Sequence, residues 1–368
     1  MKKLALVVVN LDVLTVSENI KGGGSHVLKN LLKQWVIDDN VQVDVICTNS
    51  TLDAYDGINK IIKIPHCQMG AIFQFVKELK KIQQVEQYDN ILFGDFISPY
   101  ASVLLQSHSF AYRYDLYNWF LRAVFKYLKK EKLLNQELLF SRENEVYIAV
   151  SDRIKRDYAQ HFHIPEEKIF VAYPGVDMPT LEPAYKNNDT LTYGIVGGSS
   201  LNKGLPLFLH SFSKLVKQKH KVKAIVICNN YEKLYYIKFL VKVLKLEKYL
   251  EILDFQSDMG EFYKKIDYLV MPSRHEAFGL VALEAASFGV VPIVSANTGF
   301  CEIITEGVNA FSFNINKSPK KNLHKVLLQT AKLFYEERDS YNIMVNNSWH
   351  LANLYTWKTF ADKITENM

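Results

Sequence analysis

Two glutamates eight residues apart, Glu276 and Glu284, flank a stretch of sequence that could hold phosphate and sugar oxygens. The apolar run before it predicts a buried strand, and residues 279–288 predict a helix. Glu276 then lies in the strand-to-helix loop, and both carboxylates can accept hydrogen bonds from hydroxyl groups. The first helical turn leaves backbone N–H groups free for a ligand. These N–H groups belong to Phe278, Gly279 and Leu280. The plain alternative is a surface helix with two solvated glutamates.

A second candidate for phosphate binding is the glycine- and serine-rich loop of residues 197–204. The loop contains Gly198, Ser199 and Lys203, and it lies between a predicted strand and a predicted helix. A lysine before a glycine at the start of a helix can meet a diphosphate as a point charge. A solvated surface lysine is the alternative interpretation.

A third glycine-rich connection, residues 21–25, lies between the first predicted strand and the first predicted helix. Its glycines, among them Gly23 and Gly24, allow the backbone to approach a ligand closely. The spacing is not the Gly-x-Gly-x-x-Gly of dinucleotide-binding proteins, so a nicotinamide cofactor is disfavoured. Taken alone, the run could equally form a flexible turn.

One histidine, His108, closes the predicted strand of residues 102–107. Ligands of open α/β sheets bind at the carboxyl ends of the strands, which favours a functional role over a core histidine. His26 and His275 are the secondary candidates.

The elements that must position these residues alternate between strands and helices in both halves of the chain. With 368 residues, 48% of them apolar, the chain can bury two cores and is not disordered. We predict an α/β protein of two doubly wound domains, with a polar linker over residues 181–189. The predicted domains are residues 1–180 and 181–345, and residues 346–368 form a terminal helical segment.

Composition also bears on the compartment and on the partners. The apolar run near the start is six residues long and is predicted to be the first strand rather than a signal peptide. No apolar run approaches the ~20 residues that span a bilayer. The four cysteines lack metal-ligand spacing, which favours a reducing cytoplasm. A net charge of +5 is too small to argue for nucleic acid.

Several motifs in the second half occur in a recognisable order. Residues 272–285 read Pro-Ser-x-x-Glu-x-Phe-Gly-Leu-x-x-Leu-Glu-Ala, with Gly-Val-Val-Pro at 289–292 and Gly-Phe-Cys-Glu at 299–302. Together they resemble the retaining glycosyltransferases of family 4, which have the GT-B fold. The resemblance implies two Rossmann-like domains facing across a cleft, the first for an acceptor and the second for a nucleotide-sugar. It also implies a C-terminal helix that crosses back to the first domain.

The resemblance further implies roles for particular residues. Lys203 would meet the donor diphosphate, Glu276 the transferred sugar and Glu284 the ribose, while His108 would lie against the sugar. The residues expected to act in catalysis are Glu276, His108 and Lys203. The residues expected to bind the donor are Gly23, Gly24, Gly198, Ser199, Lys203, Phe278, Gly279, Leu280 and Glu284.

The sequence departs from the family at three positions. Gly198 stands where an arginine is usual, so the grip on phosphate would depend on Lys203, backbone N–H groups and serine hydroxyls. Phe300 and Ala310 each stand where the family usually has glycine, and both changes bear on local loop geometry.

The expected reaction is transfer of a hexose-type sugar from a nucleotide-diphosphate sugar to a glycan or lipid-linked acceptor, with retention at the anomeric carbon. Such a step belongs to bacterial surface polysaccharide or glycoconjugate synthesis. No Asp-x-Asp pair is present to hold a metal against a diphosphate, so neither a metal nor a cofactor is expected. The alternatives are a GT-B nucleotide-sugar epimerase and a catalytically degenerate partner subunit. No nucleic-acid partner is expected.

Two segments rich in lysine and aromatic residues suggest contact with a membrane. The first covers residues 118–139, and the second, residues 233–245, has lysines among Tyr235, Tyr236 and Phe239. Each could be an ordinary core helix with solvated lysines. Basic residues beside an exposed apolar face would instead attract anionic headgroups. We therefore expect a cytoplasmic protein, with peripheral attachment to the inner face of the membrane as a further hypothesis.

Overall fold

The chain forms two compact α/β units in the computed structural model. The first unit is Met1–Pro174 with Trp357–Met368, and the second is Gly175–Thr356. The residues that the structure describes are 1–11, 23–64, 78, 81–82, 85–93, 103–106, 146–162, 164–180, 182–183, 188–197, 201–254, 256 and 258–368. The predicted fold class, two Rossmann-like units with parallel sheets, is confirmed.

Among the described residues, the first unit is built on a seven-stranded parallel sheet with the order β3-β2-β1-β4-β5-β6-β7. Its strands are β1 (Lys2–Asn10), β2 (Val41–Asn49), β3 (Lys60–Lys63), β4 (Asn90–Phe93), β5 (Val103–Gln106), β6 (Val146–Ala149) and β7 (Ile169–Val171). The central β1 pairs with β2 on one side and β4 on the other, and Leu4 to Val8 are fully buried. A strand covered on both faces explains the unbroken apolar run at the start of the sequence.

In the described part of the first unit, two helices precede the second unit, α1 (Gly23–Val36) and α2 (Asp152–Phe162). The apolar residues of α1 that recur at helical spacing and are buried are Val27, Leu28, Leu31, Leu32 and Trp35. The lysine- and aromatic-rich segment of residues 118–139 lies outside the described residues.

The described part of the second unit contains a six-stranded parallel sheet with the order β10-β9-β8-β11-β12-β13. Its strands are β8 (Leu191–Val196), β9 (Val222–Ile227), β10 (Leu250–Leu253), β11 (Tyr268–Met271), β12 (Val291–Ser295) and β13 (Phe311–Phe313). The first strand of the unit lies in the middle, and the strand order reverses between β8 and β11. That reversal is the topological switch point, outside which open α/β sheets bind their ligands.

Helices connect these strands and cover the sheet. They are α3 (Leu205–Lys217), α4 (Tyr235–Val243), α5 (Gly260–Lys265), α6 (Leu280–Ser287), α7 (Pro319–Glu336) and α8 (Arg338–Asn353). Phe208 and Phe212 of α3 stack at 5.1 Å inside the core, and Tyr193 of β8 packs edge-on against Phe212. Within the described residues, no helix is long and apolar enough to cross a membrane.

The chain returns to the first unit through α9 (Trp357–Glu366), which packs on α1. Trp35 Nε1 donates to Thr365 Oγ1 at 2.9 Å, and Lys2 Nζ donates to the Thr365 carbonyl at 2.7 Å. The returning segment is shorter than the predicted 346–368, because α8 buries Tyr341, Met344 and Val345 in the core of the second unit.

The first boundary also differs from the predicted residue 180. The second unit begins at Gly175. The Val176 N–H donates to the carbonyl of Tyr355 at 3.0 Å, and Val176 forms a parallel β-bridge with Thr356, so this segment pairs with the end of the second unit.

Candidate functional site

Lys203 and Glu276 meet at the switch point of the second sheet. The loop with Lys203 follows β8, the loop with Glu276 follows β11, and the two strands pair in parallel. Since the carboxyl ends of parallel strands meet at one edge of the sheet, both loops lie there. Lys203 Nζ and Glu276 Oε2 are 2.5 Å apart, and the side chains are 33% and 19% exposed. An ammonium and a carboxylate thus stand side by side at the carboxyl edge of the sheet.

Backbone contacts fix the two loops against each other. Asn202 Nδ2 donates to the carbonyl of His275 at 3.0 Å, and the Arg274 N–H donates to the carbonyl of Asn202 at 2.8 Å. Gly204 has φ 75°, and a Cβ at this position would lie 2.0 Å from the carbonyl oxygen of Pro272. A residue with a side chain would force the loops apart. The glycine therefore serves close packing of the loops that present the lysine and the glutamate.

A second set of bonds holds the Glu276 loop from its other side. The Glu276 N–H donates to the carbonyl of Asn297, and the Gly299 N–H donates to the carbonyl of Glu276, each at 3.2 Å. Ser295 Oγ donates to the carbonyl of Ser273 at 2.5 Å. The backbone that carries the carboxylate is therefore rigidly placed.

Glu284 lies on α6, half-buried, and accepts a hydrogen bond from a tyrosine that the sequence did not indicate. Tyr263 Oη of α5 donates to Glu284 Oε2 at 2.9 Å. Burial raises the pKa of Tyr263 well above its ordinary value, and the neighbouring Glu284 raises it further. Tyr263 therefore stays protonated and orients the carboxylate. The structure records no donor to Glu284 Oε1 among the described residues.

The loop-to-helix turn begins α6 one residue later than predicted. Gly279 has φ 107°, and a Cβ there would lie 2.6 Å from Met271 Cε, so only glycine fits. Leu280 is the first helical residue, and its N–H has no acceptor within the helix. The N-terminus of α6 therefore still presents a backbone N–H that is unpaired within the helix, as the predicted anion site requires.

The side chain of Phe278 packs beneath the loop whose backbone N–H groups are predicted to meet the ligand. Its side chain is buried, its ring meets Phe300 edge-on at 6.2 Å, and its carbonyl accepts from the Phe300 N–H at 2.6 Å. The side chain of Phe278 therefore holds the loop in place from beneath.

The remaining candidate residues include glycines and histidines from both units. Gly23 and Gly24 form the first turn of α1 in the first unit instead of preceding the helix. His26 packs its ring edge-on against Trp357 at 5.6 Å, and His275 is buried. His108, Gly198 and Ser199 lie outside the described residues.

No group of three or more histidine, cysteine, aspartate or glutamate side chains that could hold a metal ion occurs within the described ranges. The candidate site at the switch point therefore consists of Lys203, Glu276, Glu284, Tyr263 and the N-terminus of α6.

Comparison with known protein families gives a match in each half of the chain. Residues 181–345 match the family model described as glycosyl transferases group 1, and residues 21–178 match glycosyltransferase family 4. An uncharacterized glycosyltransferase of Methanocaldococcus jannaschii is 27% identical over 78% of this chain and 80% of its own length. The O-antigen biosynthesis glycosyltransferase WclY of Escherichia coli is 32% identical over 37% of this chain and 40% of its own length.

Solved structures share the whole two-unit fold at low sequence identity. WaaG, a glycosyltransferase involved in lipopolysaccharide biosynthesis, superposes with a TM-score of 0.74 at 15% identity, covering 99% of this chain and 98% of WaaG. HepE of Anabaena, in complex with UDP and glucose, gives 0.71 at 17% identity over 100% and 99%. The fold and the family matches define a glycosyltransferase of the GT-B class. The proteins that this chain resembles include enzymes named for lipopolysaccharide and O-antigen biosynthesis.

Proposed function

We propose that this glycosyltransferase moves a hexose-type sugar from a nucleotide-diphosphate sugar to a glycan or lipid-linked acceptor, with retention, as a family 4 enzyme of bacterial surface polysaccharide or glycoconjugate synthesis. The observation that carries the proposal is the pairing of Lys203 with Glu276 at the switch point. The two groups match the two sides of the reacting bond. The ammonium suits the leaving diphosphate, and the carboxylate suits the hydroxyls of the sugar.

In the proposed reaction, the bond between the anomeric carbon and the diphosphate oxygen breaks while the acceptor hydroxyl attacks from the same face. The proton of that hydroxyl passes to the departing diphosphate oxygen. Negative charge grows on the diphosphate, where Lys203 and the N-terminus of α6 would stabilise it. On donor binding, Lys203 would exchange Glu276 for phosphate, which frees the Glu276 carboxylate to orient the sugar.

Glu284 is proposed to hold the ribose of the donor. One carboxylate oxygen is occupied by Tyr263, so the other is presented in a fixed direction for a pair of hydroxyls. Gly23, Gly24, Gly198, Ser199 and His108 remain proposed contacts of the donor or the acceptor from their motif positions alone.

A nucleotide-sugar screen tests the donor assignment. Each candidate is added to the protein and the thermal unfolding midpoint is measured, because a ligand of the folded state raises that midpoint. UDP-glucose is the natural first compound, since HepE has been solved with it. If no nucleotide-sugar raises the midpoint, the donor assignment is wrong.

Turnover of the confirmed donor then separates the proposal from its alternatives. A transferase consumes donor only with an acceptor, an epimerase converts it without one, and a degenerate partner subunit does neither. The anomeric proton coupling of the product, measured by NMR, shows whether configuration is retained.

The reaction is proposed to need no metal, because Lys203 and helix N–H groups would meet the leaving charge. We expect transfer to continue in excess chelator. Loss of activity with chelator, restored by magnesium or manganese, would contradict this.

The acceptor is proposed to be met at the cytoplasmic face of the membrane, with the protein attached peripherally. Similarity to WaaG and WclY supports an acceptor that belongs to surface polysaccharide synthesis.

A further inference from the structure

The outward side of α4 carries a cluster of exposed apolar side chains. Tyr235, Tyr236, Phe239 and Val243 are 78%, 58%, 66% and 57% exposed. At about 100° per residue they share one side of the helix. The opposite side is buried in the core through Ile237, Leu240 and Val241. Single exposed apolar residues are ordinary, but a cluster of four on a helix already anchored by its other side marks an interaction surface.

Lysines border this surface. Lys238 and Lys242 lie on α4 beside the exposed aromatic residues, and Lys245 and Lys248 follow the helix. Lys238 is paired with Glu232. The other three lysines form no ion pair within the described part of the chain, so their charge is available to a partner. The surface formed by the four apolar residues and these lysines is called the α4 surface below.

We propose that the α4 surface docks on a bilayer containing anionic phospholipid. Tyrosine and phenylalanine rings settle at headgroup depth, where the tyrosine hydroxyls remain in water. Lysines at the same level attract the anionic headgroups. A helix that binds a membrane surface in this way buries its apolar face at the boundary between headgroups and acyl chains, and its cationic side chains stay above that level. The exposed aromatic rings and the unpaired lysines of the α4 surface meet both requirements.

A second copy of the chain fits the α4 surface less well. A twofold contact would place the same lysines of both copies against each other. Protein interfaces also exclude lysine from their centres. The positive border complements an anionic lipid layer, and it opposes self-association.

The inference rests on the proposed function only for its purpose, which is to bring the protein to a lipid-linked acceptor. Docking itself requires no donor and no acceptor. A failed donor screen would overturn the donor assignment and leave docking intact. Absent lipid binding would overturn docking and the proposed peripheral attachment, and it would leave the donor assignment intact.

The test is cosedimentation of the full chain with vesicles of phosphatidylcholine, with and without phosphatidylglycerol, at low salt. We expect sedimentation only with the anionic vesicles and release at high salt. The variant Lys242→Glu with Lys245→Asp should bind more than tenfold less tightly, since each lysine near an anionic surface contributes about a factor of five. Aspartate is chosen at position 245 because Lys245 has φ 55°, which aspartate tolerates.

The matched control is Lys321→Glu with Lys325→Asp on α7, which makes the same change in net charge on a helix where both lysines are exposed. This control should bind vesicles as the wild type does. Equal loss in the control would show a nonspecific charge effect and overturn the proposal.

A second variant, Tyr235→Ser with Phe239→Ser, removes apolar area and keeps the charge. Vesicle binding should fall about tenfold, because the rings no longer enter the headgroup layer. Both side chains are exposed, so the thermal unfolding midpoint should not fall. A wild type that stays in the supernatant overturns the proposal. The proposal is also overturned if sedimentation velocity shows that the wild type is a dimer and that the Phe239→Ser variant is a monomer.

Discussion

The two edges of the sheet in the second unit both carry carboxylates, and they use them differently. At the amino edge, Asp267 is fully buried and accepts from the Thr192 N–H at 2.8 Å and from Tyr341 Oη at 3.5 Å. At the carboxyl edge, Glu276 and Glu284 are partly exposed, and each has one side-chain partner among the described residues. A carboxylate whose bonds are taken up inside the protein stabilises the fold. One with spare acceptor capacity at a crevice can bind a ligand.

A tyrosine contact by itself does not distinguish the two edges. Burial raises the pKa of Tyr341 well above its ordinary value, with Asp267 adding to the effect, and Tyr263 beside Glu284 behaves in the same way. Both tyrosines are protonated donors. The difference lies in how many further donors the protein supplies and in how much of the carboxylate reaches solvent.

The largest effect is expected from Glu276→Ala. Turnover should fall by about 10²–10³, since the group acts on the reacting sugar, while donor binding falls much less. Steady-state kinetics and calorimetry with the donor measure the two losses. Glu261→Ala serves as the control, because Glu261 is 64% exposed and its ion pair in the described structure is with Lys264 on its own helix. Equal losses of turnover and binding would reduce Glu276 to a binding residue.

At the opposite edge, Asp267→Ala should lower the free energy of unfolding by about 3 kcal/mol, because at least two donors lose their acceptor in the interior. Urea denaturation measures this loss. Donor affinity of the folded protein should not change. A variant with normal stability and weakened donor binding would reverse the roles assigned to the two edges.

Glu284→Ala should weaken nucleotide-sugar binding by about 1.5–3 kcal/mol, because a charged acceptor is removed from a pair of hydroxyls. Calorimetry with the donor is the measurement. Unchanged affinity would rule out the ribose role.

The smallest effect is expected from Tyr263→Phe, which should cost about 1 kcal/mol of donor affinity and leave turnover at saturation nearly unchanged. The tyrosine orients Glu284 and does not touch the reacting bond. Tyr341→Phe is the matched control, because it removes the same kind of bond at the other edge. The control should lower stability and spare donor affinity, and the same loss of affinity in both variants would contradict the comparison.

Much of the fold could be predicted from sequence pattern. The helix predicted over residues 279–288 is observed as Leu280–Ser287, and the strand predicted over residues 102–107 is observed as Val103–Gln106, because the period of the apolar residues marks each element. The loop positions of Lys203 and Glu276 follow from the same alternation of strands and helices.

The pairing of Lys203 with Glu276 could not be predicted in this way. The two residues are 73 positions apart, and they meet because β8 hydrogen-bonds to β11. Strand order is a tertiary property that no local pattern encodes. Tyr263 was missed for a different reason, since α5 has six residues and is too short to show helical periodicity.

Two departures from the family pattern are accommodated by packing. Phe300 is fully buried against Phe278, so the larger side chain fills the core beneath the Glu276 loop. Ala310 is fully buried too, and Asn309 Oδ1 accepts from the Thr305 N–H at 2.9 Å, which closes the preceding turn.

The return of α9 to the first unit also orders events during synthesis. Residues 357–368 complete the surface against α1, yet the ribosome makes them only after all of the second unit. The second unit is one continuous stretch and can fold as soon as it emerges, whereas the first must wait with part of α1 uncovered. During synthesis the N-terminal domain usually folds first, but here the first unit can be completed only after the whole second unit has been made.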